Sequence, residues 1–241
     1  MAHASASVST CPIEVIGTCK SSNSPGTRAM QFSGIYAITD DKLLPGQRLF
    51  SAAEAALSSG ISLLQYRSKT ASKARRLECA RNLLSLCAQF EVPLIINDDV
   101  DLCESAGAGG VHLGRQDASI ESARNRLGPE AIIGVTCHSS IEAALVAERS
   151  GADYVAFGRF FPSFSKPEAS AANLQTLIQA RQALTIPIVA IGGINAENGH
   201  SVLQAGADML AVIHAIFAED DVSAQSRKLL NMVAQYKLLN N

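Results

Sequence analysis

The sequence predicts an α/β fold, a single (β/α)8 barrel, on three observations. From Gly34 onward, short apolar runs alternate with longer amphipathic stretches, which is the pattern of βα units on a parallel sheet. Eight such units fit into the remaining stretch of about 210 residues, the size of a small barrel of this kind. Four segments also resemble one another, since SSGISLLQYR, SAGAGGVHLG, RSGADYVAFG and QAGADMLAVI each combine a helix end, a glycine and a strand. A doubly wound open sheet is the alternative architecture.

The eight apolar runs predict eight strands in chain order. They cover residues 35–39, 63–67, 94–97, 110–113, 132–136, 154–158, 188–191 and 209–212. Between them, stretches such as ASKARRLECARNLLSLCAQF show the i, i+3, i+4 apolar spacing of helices. Four glycines are predicted to end helices: Gly60, Gly107, Gly151 and Gly206.

The N-terminal segment is predicted to lie outside this barrel. Its stretches MAHASASVST and SSNSPGT are small, polar and low in complexity, and they lack the apolar core of a secretory signal. We therefore expect residues 1–33 to form a low-complexity N-terminal extension and residues 34–241 to form the catalytic barrel domain. Because Met30 stands just before the first strand, a start at Met30 and a flexible tail are both open.

Composition argues against several classes of protein. A net charge of −2 provides no basic face for nucleic acid, and no run of eighteen apolar residues suggests a membrane span. The six cysteines form no C-x-x-C pair, which favours reduced thiols in a cytoplasmic protein over a disulfide or zinc framework. We expect a cytoplasmic protein that acts on small molecules, and a homo-oligomer is open.

Carboxylates after two neighbouring strands predict a metal site. A barrel gathers the residues that follow its strands at one mouth, so Asp98 and Asp117 would meet there beside the amide of Asn97. Mg²⁺ commonly binds to one or two carboxylates and completes its shell with substrate phosphates. The alternative is that Asp98 belongs to a turn capping the next helix, but Asp99 is better placed for that cap.

Cations and glycines predict two phosphate sites at the same mouth. Arg67 and Lys69 share one side of the second strand, and an arginine fork with a lysine suits a diphosphate. Lys166 follows on a loop with two serine hydroxyls. A second site is predicted at the loops after the seventh and eighth strands, which contain Gly192, Gly193, Ile213 and His214.

The ordered motifs resemble the thiamine-phosphate synthase (thiamine-phosphate pyrophosphorylase) family. They are YAITD, LLQYRSK, INDDVDL, GVHLGRQD, GVTCHS, ADYVAFGRFFPSFSKP, AIGGI and GADMLAVIHAIF. The resemblance implies a TIM barrel and a transferase of thiamine biosynthesis. Such an enzyme joins 4-amino-2-methyl-5-pyrimidinylmethyl diphosphate to 4-methyl-5-(2-phosphooxyethyl)thiazole and releases pyrophosphate and thiamine monophosphate.

The resemblance also implies a role for each site residue. Asp98 and Asp117 would hold Mg²⁺, and Arg67, Lys69 and Lys166 would be catalytic by stabilising the leaving pyrophosphate. The pyrimidine diphosphate would contact Gln65, Tyr66, Arg67, Ser68, Lys69, Asn97, Thr136 and Lys166. The thiazole phosphate would contact Ser163, Phe164, Ser165, Gly193, Ile213 and His214.

The sequence departs from the family pattern at a few positions. Arg115 stands where the family often has glutamine, and His214 replaces a more usual serine. A metal-independent thiazole tautomerase of the same superfamily and a non-catalytic phosphate-binding barrel are the alternatives. The retained Asp98 and the spacing of Asp117 favour the synthase, because metal ligands would serve no purpose in the tautomerase.

Overall fold

A computed structural model of the chain describes Met1 and residues 32–162 and 171–240. Within these ranges, eight parallel strands pair in chain order and form a closed barrel. Closure rests on the pairing of the first and last strands, in which Ile35 lies opposite Leu210. The barrel is therefore confirmed over the open sheet. Residues 2–31 lie outside the described residues, so the boundary of the N-terminal extension stays a prediction.

All eight predicted strands are confirmed. They are β1 (Gly34–Ile38), β2 (Leu63–Tyr66), β3 (Leu94–Asn97), β4 (Gly110–Leu113), β5 (Ile132–His138), β6 (Tyr154–Phe157), β7 (Ile188–Ile191) and β8 (Met209–Val212). Most ends agree with the prediction to within one residue, whereas β5 runs two residues further. Parallel strands are buried on both faces, which is why each one is visible in the sequence as an apolar run.

Helices connect the strands and surround the barrel. They are α1 (Arg48–Ser59), α2 (Lys73–Gln89), α3 (Val100–Ala106), α4 (Ile120–Leu127), α5 (Ile141–Arg149), α6 (Leu174–Ala183), α7 (Gly199–Gln204), α8 (His214–Phe217) and α9 (Val222–Asn240). Gly60 and Gly107 end α1 and α3 with φ of 101° and 72°. Gly151 and Gly206 also have positive φ, one residue beyond the caps of α5 and α7, so the predicted glycine stops are confirmed.

Alternation along each strand divides the core into two layers. In β3, Leu94 and Ile96 are fully buried in the apolar cluster formed with helix residues such as Leu83. Ile95 lies between them and faces the opposite side, the interior of the barrel. Polar residues that follow this inward alternation therefore face the barrel interior and its mouth.

The cysteines within the described ranges form no disulfide. Cys79, Cys87, Cys103 and Cys137 are free and buried. Burial raises the pKa of the Cys137 thiol to about 12, so this side chain is a neutral packing residue. In the part of the chain that the structure describes, no helix combines the length and apolarity needed to cross a bilayer.

One glycine of β5 is required by the barrel interior. Gly134 lies opposite His112 on β4 and opposite Tyr154 on β6. The Tyr154 ring crosses over Gly134 and stacks on the His112 ring, with centroids 5.6 Å apart. A Cβ atom at Gly134 would lie 1.9 Å from the Tyr154 ring, so only glycine fits beneath this contact.

We expect Gly134→Ala to destabilise the fold by about 1–3 kcal/mol or more, because the added methyl group overlaps a fully buried ring. Urea denaturation followed by circular dichroism measures the change. Gly109→Ala is the matched control, since a Cβ there meets its nearest neighbour at 3.5 Å. Equal stability of the Gly134→Ala and Gly109→Ala variants would contradict the assignment.

Candidate active site

The mouth of the barrel opens into a cavity of about 1150 Å³ at the carboxyl ends of the strands. Most of the predicted site residues within the described ranges line it. They are Gln65, Arg67, Lys69, Asn97, Asp98, Asp117, Thr136, Gly193, Ile213 and His214. Residues that are far apart in the sequence therefore meet at one cavity, as the barrel prediction requires.

Some of the predicted site residues are not among those that line the cavity. Tyr66 and Ser68 do not line the cavity, because alternation places Tyr66 in the layer between the barrel and the helices. Contacts of Tyr66 and Ser68 with substrate stay predictions. Such contacts would have to come from the backbone of these two residues. Ser163, Phe164, Ser165 and Lys166 lie outside the described residues, so their predicted roles are not tested.

The first cation after β2 is held by an aspartate that follows β1. Arg67 Nη1 donates to Asp40 Oδ2 at 3.1 Å, and both side chains are only 15% exposed. A pair this enclosed is screened less by solvent than a surface ion pair. The Arg67 guanidinium is therefore held in a defined position at the cavity wall.

A second aspartate after β1 holds the backbone of the β2–α2 loop. Asp41 Oδ2 accepts hydrogen bonds from the backbone N–H of Lys69 at 2.6 Å and from the N–H and hydroxyl of Thr70, each at 3.0 Å. Burial opposes the charge of Asp41, but the hydrogen bonds from this loop outweigh it and hold its pKa below the usual value. Asp41 thus fixes the point from which the Lys69 side chain extends.

The two predicted metal ligands and Lys69 form a charged cluster. Lys69 Nζ donates to Asp98 Oδ2 at 2.6 Å, and the Asp117 carboxylate accepts the Gly114 N–H at 2.7 Å. Asp98 adopts a left-handed conformation, with φ of 64°, which aspartate tolerates better than most residues. Its own N–H continues the sheet by donating to His112 O at 2.8 Å. The carboxylate is therefore anchored at the end of β3.

The pKa values of the two carboxyl groups move in opposite directions. Burial opposes the charge of Asp98, but the hydrogen bond and charge of Lys69 outweigh it and lower the pKa. Burial and then the negative charge of Asp98 raise the pKa of Asp117, despite the hydrogen bond from Gly114. Two interacting carboxylates beside a cavity are an arrangement that a cation would stabilise.

The neighbouring aspartate has a structural role, as predicted. The Asp99 side chain caps α3 by accepting the Leu102 N–H at 2.9 Å, and it pairs with Arg76 at 3.0 Å. The prediction that Asp99 caps the helix is therefore confirmed. Asp98 stays at the cavity.

The glycines after β7 are required by packing. A Cβ on Gly193 would lie 2.2 Å from Pro162 O, and one on Gly192 would lie 2.2 Å from Arg159 Cβ. The loop after β6 thus rests directly on the loop after β7. Both glycines also line the cavity, and their contact with a phosphate stays a prediction.

Several further polar residues line the cavity, although the motifs assigned them no ligand. Arg115 and Arg159 add two cations, and His138 follows the bulge in β5. Arg159 was visible only as part of the motif GRFF, where nothing marks it as inward-facing. Arg115, the departure from the family pattern, lies at the cavity beside Asp117.

A chain of hydrogen bonds crosses the barrel beneath the cavity. It links Gln65, Tyr36, Tyr154, His112 and Thr136 through contacts of 2.7–2.9 Å. The motif analysis missed both tyrosines. The available signal was a tyrosine in each of two otherwise apolar strands, GIYAI and YVAF.

Comparison with known proteins identifies the family. The family described as Thiamine monophosphate synthase matches residues 35–216, which span every predicted site residue. The chain belongs to this family. It is similar to the thiamine-phosphate synthase of Nitrosococcus oceani, with 51% identity over 191 residues that cover 79% of this chain and 88% of the relative. A second relative named thiamine-phosphate synthase, from Saccharophagus degradans, is 50% identical over 199 residues, covering 82% and 92% of the two chains.

A solved structure agrees with this assignment. The thiamine phosphate pyrophosphorylase from Pyrococcus furiosus superposes with a TM-score of 0.78 at 34% identity, covering 86% of this chain and 98% of that one. The predicted thiamine monophosphate synthase family is thereby confirmed, and with it the prediction of a transferase of thiamine biosynthesis.

We expect Asp41→Asn to destabilise the protein by about 1 kcal/mol at neutral pH, since the site is partly exposed and solvent screens it. Activity should also fall, because the Lys69 backbone loses its anchor. Asp220→Asn is the control, because its carboxylate is 97% exposed.

The pH dependence of the stability difference between wild type and Asp41→Asn tests the same assignment. Because folding lowers the pKa of Asp41, its contribution is complete above the unfolded pKa of about 3.9 and is lost as pH falls through the lower folded pKa. The stability difference between wild type and Asp41→Asn, measured by urea denaturation, should therefore shrink in acid. A difference that grows as pH falls would contradict the assignment.

Proposed function

We propose that this chain catalyses the thiamine-phosphate synthase reaction at the barrel mouth. In this reaction the pyrimidinylmethyl carbon leaves its diphosphate and bonds to the thiazole nitrogen, which gives thiamine monophosphate and pyrophosphate. The observation that carries the proposal is one cavity lined by two cations that follow β2, Arg67 and Lys69, and by two interacting carboxylates, Asp98 and Asp117. Such a set matches a substrate with a metal-bound diphosphate.

The donor set fits Mg²⁺. Asp98 and Asp117 would hold the ion through carboxylate oxygens, and the open cavity leaves room for waters and diphosphate oxygens to complete its shell. The described ranges contain no group of three or more His, Cys, Asp or Glu side chains that could hold a metal. Two protein ligands suit an ion that relies on substrate phosphates. When bound, Mg²⁺ would neutralise charge on the diphosphate.

The protein's own cations would stabilise the leaving group. As the carbon–oxygen bond breaks, negative charge grows on the pyrophosphate, and fixed cations at the cavity wall lower the energy of that state. Arg67 is held by Asp40, and the Lys69 backbone is held by Asp41. We assign Lys166 to the same task on its loop. Preorganised charges of this kind need no reorganisation during the reaction.

The remaining steps need positioning rather than proton transfer by the protein. The thiazole nitrogen has a lone pair and attacks without a general base, while the pyrimidine amino group stabilises the positive charge on the methylene carbon. We assign Gln65, Asn97 and Thr136 to the pyrimidine diphosphate, and Gly193, Ile213 and His214 to the thiazole phosphate together with residues 163–165. Holding both substrates in one cavity would supply much of the rate enhancement.

The test of the proposed function is pyrophosphate release by the purified chain. Release should require both substrates and Mg²⁺, because bond cleavage needs the stabilised leaving group and bond formation needs the thiazole. Release from the pyrimidine diphosphate alone, at the same rate as with both substrates, would contradict the proposed transfer. An inactive but folded protein that binds thiazole phosphate without metal would favour the tautomerase instead.

We expect Asp98→Asn to lower kcat/KM by about a hundredfold or more, because one metal ligand and the anchor of Lys69 are lost together. The release assay, repeated over a series of Mg²⁺ concentrations, measures the effect, and the variant should need more Mg²⁺. Asp101→Asn is the matched control, since its carboxylate is 80% exposed and pairs with Arg126 on the outside of the barrel. Equal activity of the two variants would remove Asp98 from the site.

A further inference from the structure

The buried chain of hydrogen bonds beneath the cavity has five members and two distinct ends. Gln65 Nε2 donates to Tyr36 Oη at 2.7 Å, and Tyr36 Oη lies 2.8 Å from Tyr154 Oη. His112 Nδ1 lies 2.9 Å from Tyr154 Oη, and His112 Nε2 lies 2.7 Å from Thr136 Oγ1. Every member except Tyr154 lines the cavity, and Gln65 and Thr136 stand at the two ends of the chain.

We propose that the protons of this chain are ordered in one direction, from Gln65 to Thr136, so that Thr136 faces the substrate as a hydrogen-bond donor. The role toward substrate rests on the proposed function, whereas the proton order is a property of the protein alone. The two tyrosines and His112 are positioning residues in this account.

The order follows from counting donors. An amide nitrogen can only donate, so Tyr36 Oη accepts from Gln65 and its single proton is left for Tyr154 Oη. Tyr154 then donates to His112 Nδ1, which must be unprotonated. A neutral imidazole with an unprotonated Nδ1 has its proton on Nε2 and donates to Thr136 Oγ1.

Burial keeps each phenol at one proton. Tyr36 and Tyr154 are at most 1% exposed, and burial raises the pKa of both well above the usual value. Gln65 is 2% exposed. Because water has little access to these groups, every proton must be placed on a protein acceptor, and a misplaced proton would leave a buried polar group unpaired.

The other proton arrangements conflict with this geometry. The reverse order would need the oxygen of the Gln65 amide, rather than its nitrogen, beside Tyr36. A doubly protonated His112 would donate to both Tyr154 and Thr136, so that Tyr154 would have to donate to Tyr36. Tyr36 would then receive two hydrogen bonds and have no acceptor for its own proton among these five residues.

This proton order makes the Thr136 hydroxyl a hydrogen-bond donor toward the cavity. Its oxygen accepts from His112, so its hydroxyl proton remains for the cavity that it lines. Among the described residues, Thr136 Oγ1 makes no other hydrogen bond. The site would therefore favour an acceptor at this point, such as a diphosphate oxygen or a ring nitrogen, over a donor.

The direct test is the tautomer of His112 in the ligand-free protein, measured from the ¹⁵N chemical shifts of its two ring nitrogens. The signals are assigned by their loss in His112→Asn. We expect a protonated Nε2 and an unprotonated Nδ1. A protonated Nδ1, or protons on both nitrogens at neutral pH, would overturn the proposal. This result does not depend on catalysis, so it is separate from the test of the proposed function.

A variant tests whether the order is transmitted. Tyr36→Phe removes one link while keeping the ring, and we expect the share of the Nε2-protonated form to fall. Tyr154→Phe is the second variant, which removes the donor to Nδ1 itself. Tyr236→Phe is the matched control, because its hydroxyl bonds Leu203 O on the outside of the barrel. An unchanged tautomer in both interior variants would overturn the role of the tyrosines.

The need for the Thr136 hydroxyl, which the donor role requires, is tested by a pair of substitutions. Thr136→Ser keeps a hydroxyl, whereas Thr136→Val keeps the shape and removes it. We expect Thr136→Val to lower kcat/KM about tenfold for the pyrimidine diphosphate and Thr136→Ser to stay within about threefold of wild type. Equal losses in the two variants would overturn the donor role, because shape rather than the hydroxyl would then matter.

Discussion

The pairing of β1 with β8 is the constraint on which the site depends. It closes the sheet, removes both sheet edges and brings the carboxyl ends of all eight strands to one mouth. Asp40 and Asp41 follow β1, and the cations they hold follow β2. Without closure, the loops after β7 and β8 would lie at the far edge of an open sheet. The cavity exists because the first and last strands meet.

Opposite charges form pairs at the mouth. Asp40 pairs with Arg67, and Lys69 pairs with Asp98, which in turn interacts with Asp117. The Arg67 pair is enclosed and fixed, while Lys69 is about half exposed and its pair faces the cavity. With a metal-bound diphosphate in the cavity, Asp98 would contact the metal ion instead of Lys69. Lys69 would contact the diphosphate instead of Asp98. The same charges can therefore pair either with one another or with a metal-bound diphosphate.

Local patterns predicted a large part of this arrangement. Each parallel strand is an apolar run, and the cap preference of aspartate separated Asp99 from Asp98 before any geometry was known. The tyrosines of the barrel interior could not be found this way. Their partners lie on neighbouring strands, and the contact of Tyr154 with His112 depends on a register that places Gly134 between them.

The roles of the two aspartates after β1 were also beyond sequence reasoning. The stretch YAITDD shows two adjacent aspartates at a strand end, but not that Asp40 holds a side chain and Asp41 holds a backbone loop. For Tyr66, sequence reasoning predicted too much. Its motif suggested a substrate contact, but strand alternation buries its side chain in the layer between the barrel and the helices. Motifs identify which residues reach the mouth, and register decides which way each one faces.

The central claim is that cations of β2 and carboxylates of β3 and β4 form one site for a metal-bound diphosphate. Isothermal titration of pyrophosphate into the full chain, with and without Mg²⁺, tests it most directly. The account predicts binding that is about tenfold or more tighter with Mg²⁺ and that loses this dependence in Asp98→Asn. Equal affinity with and without Mg²⁺ in the wild-type protein would contradict it.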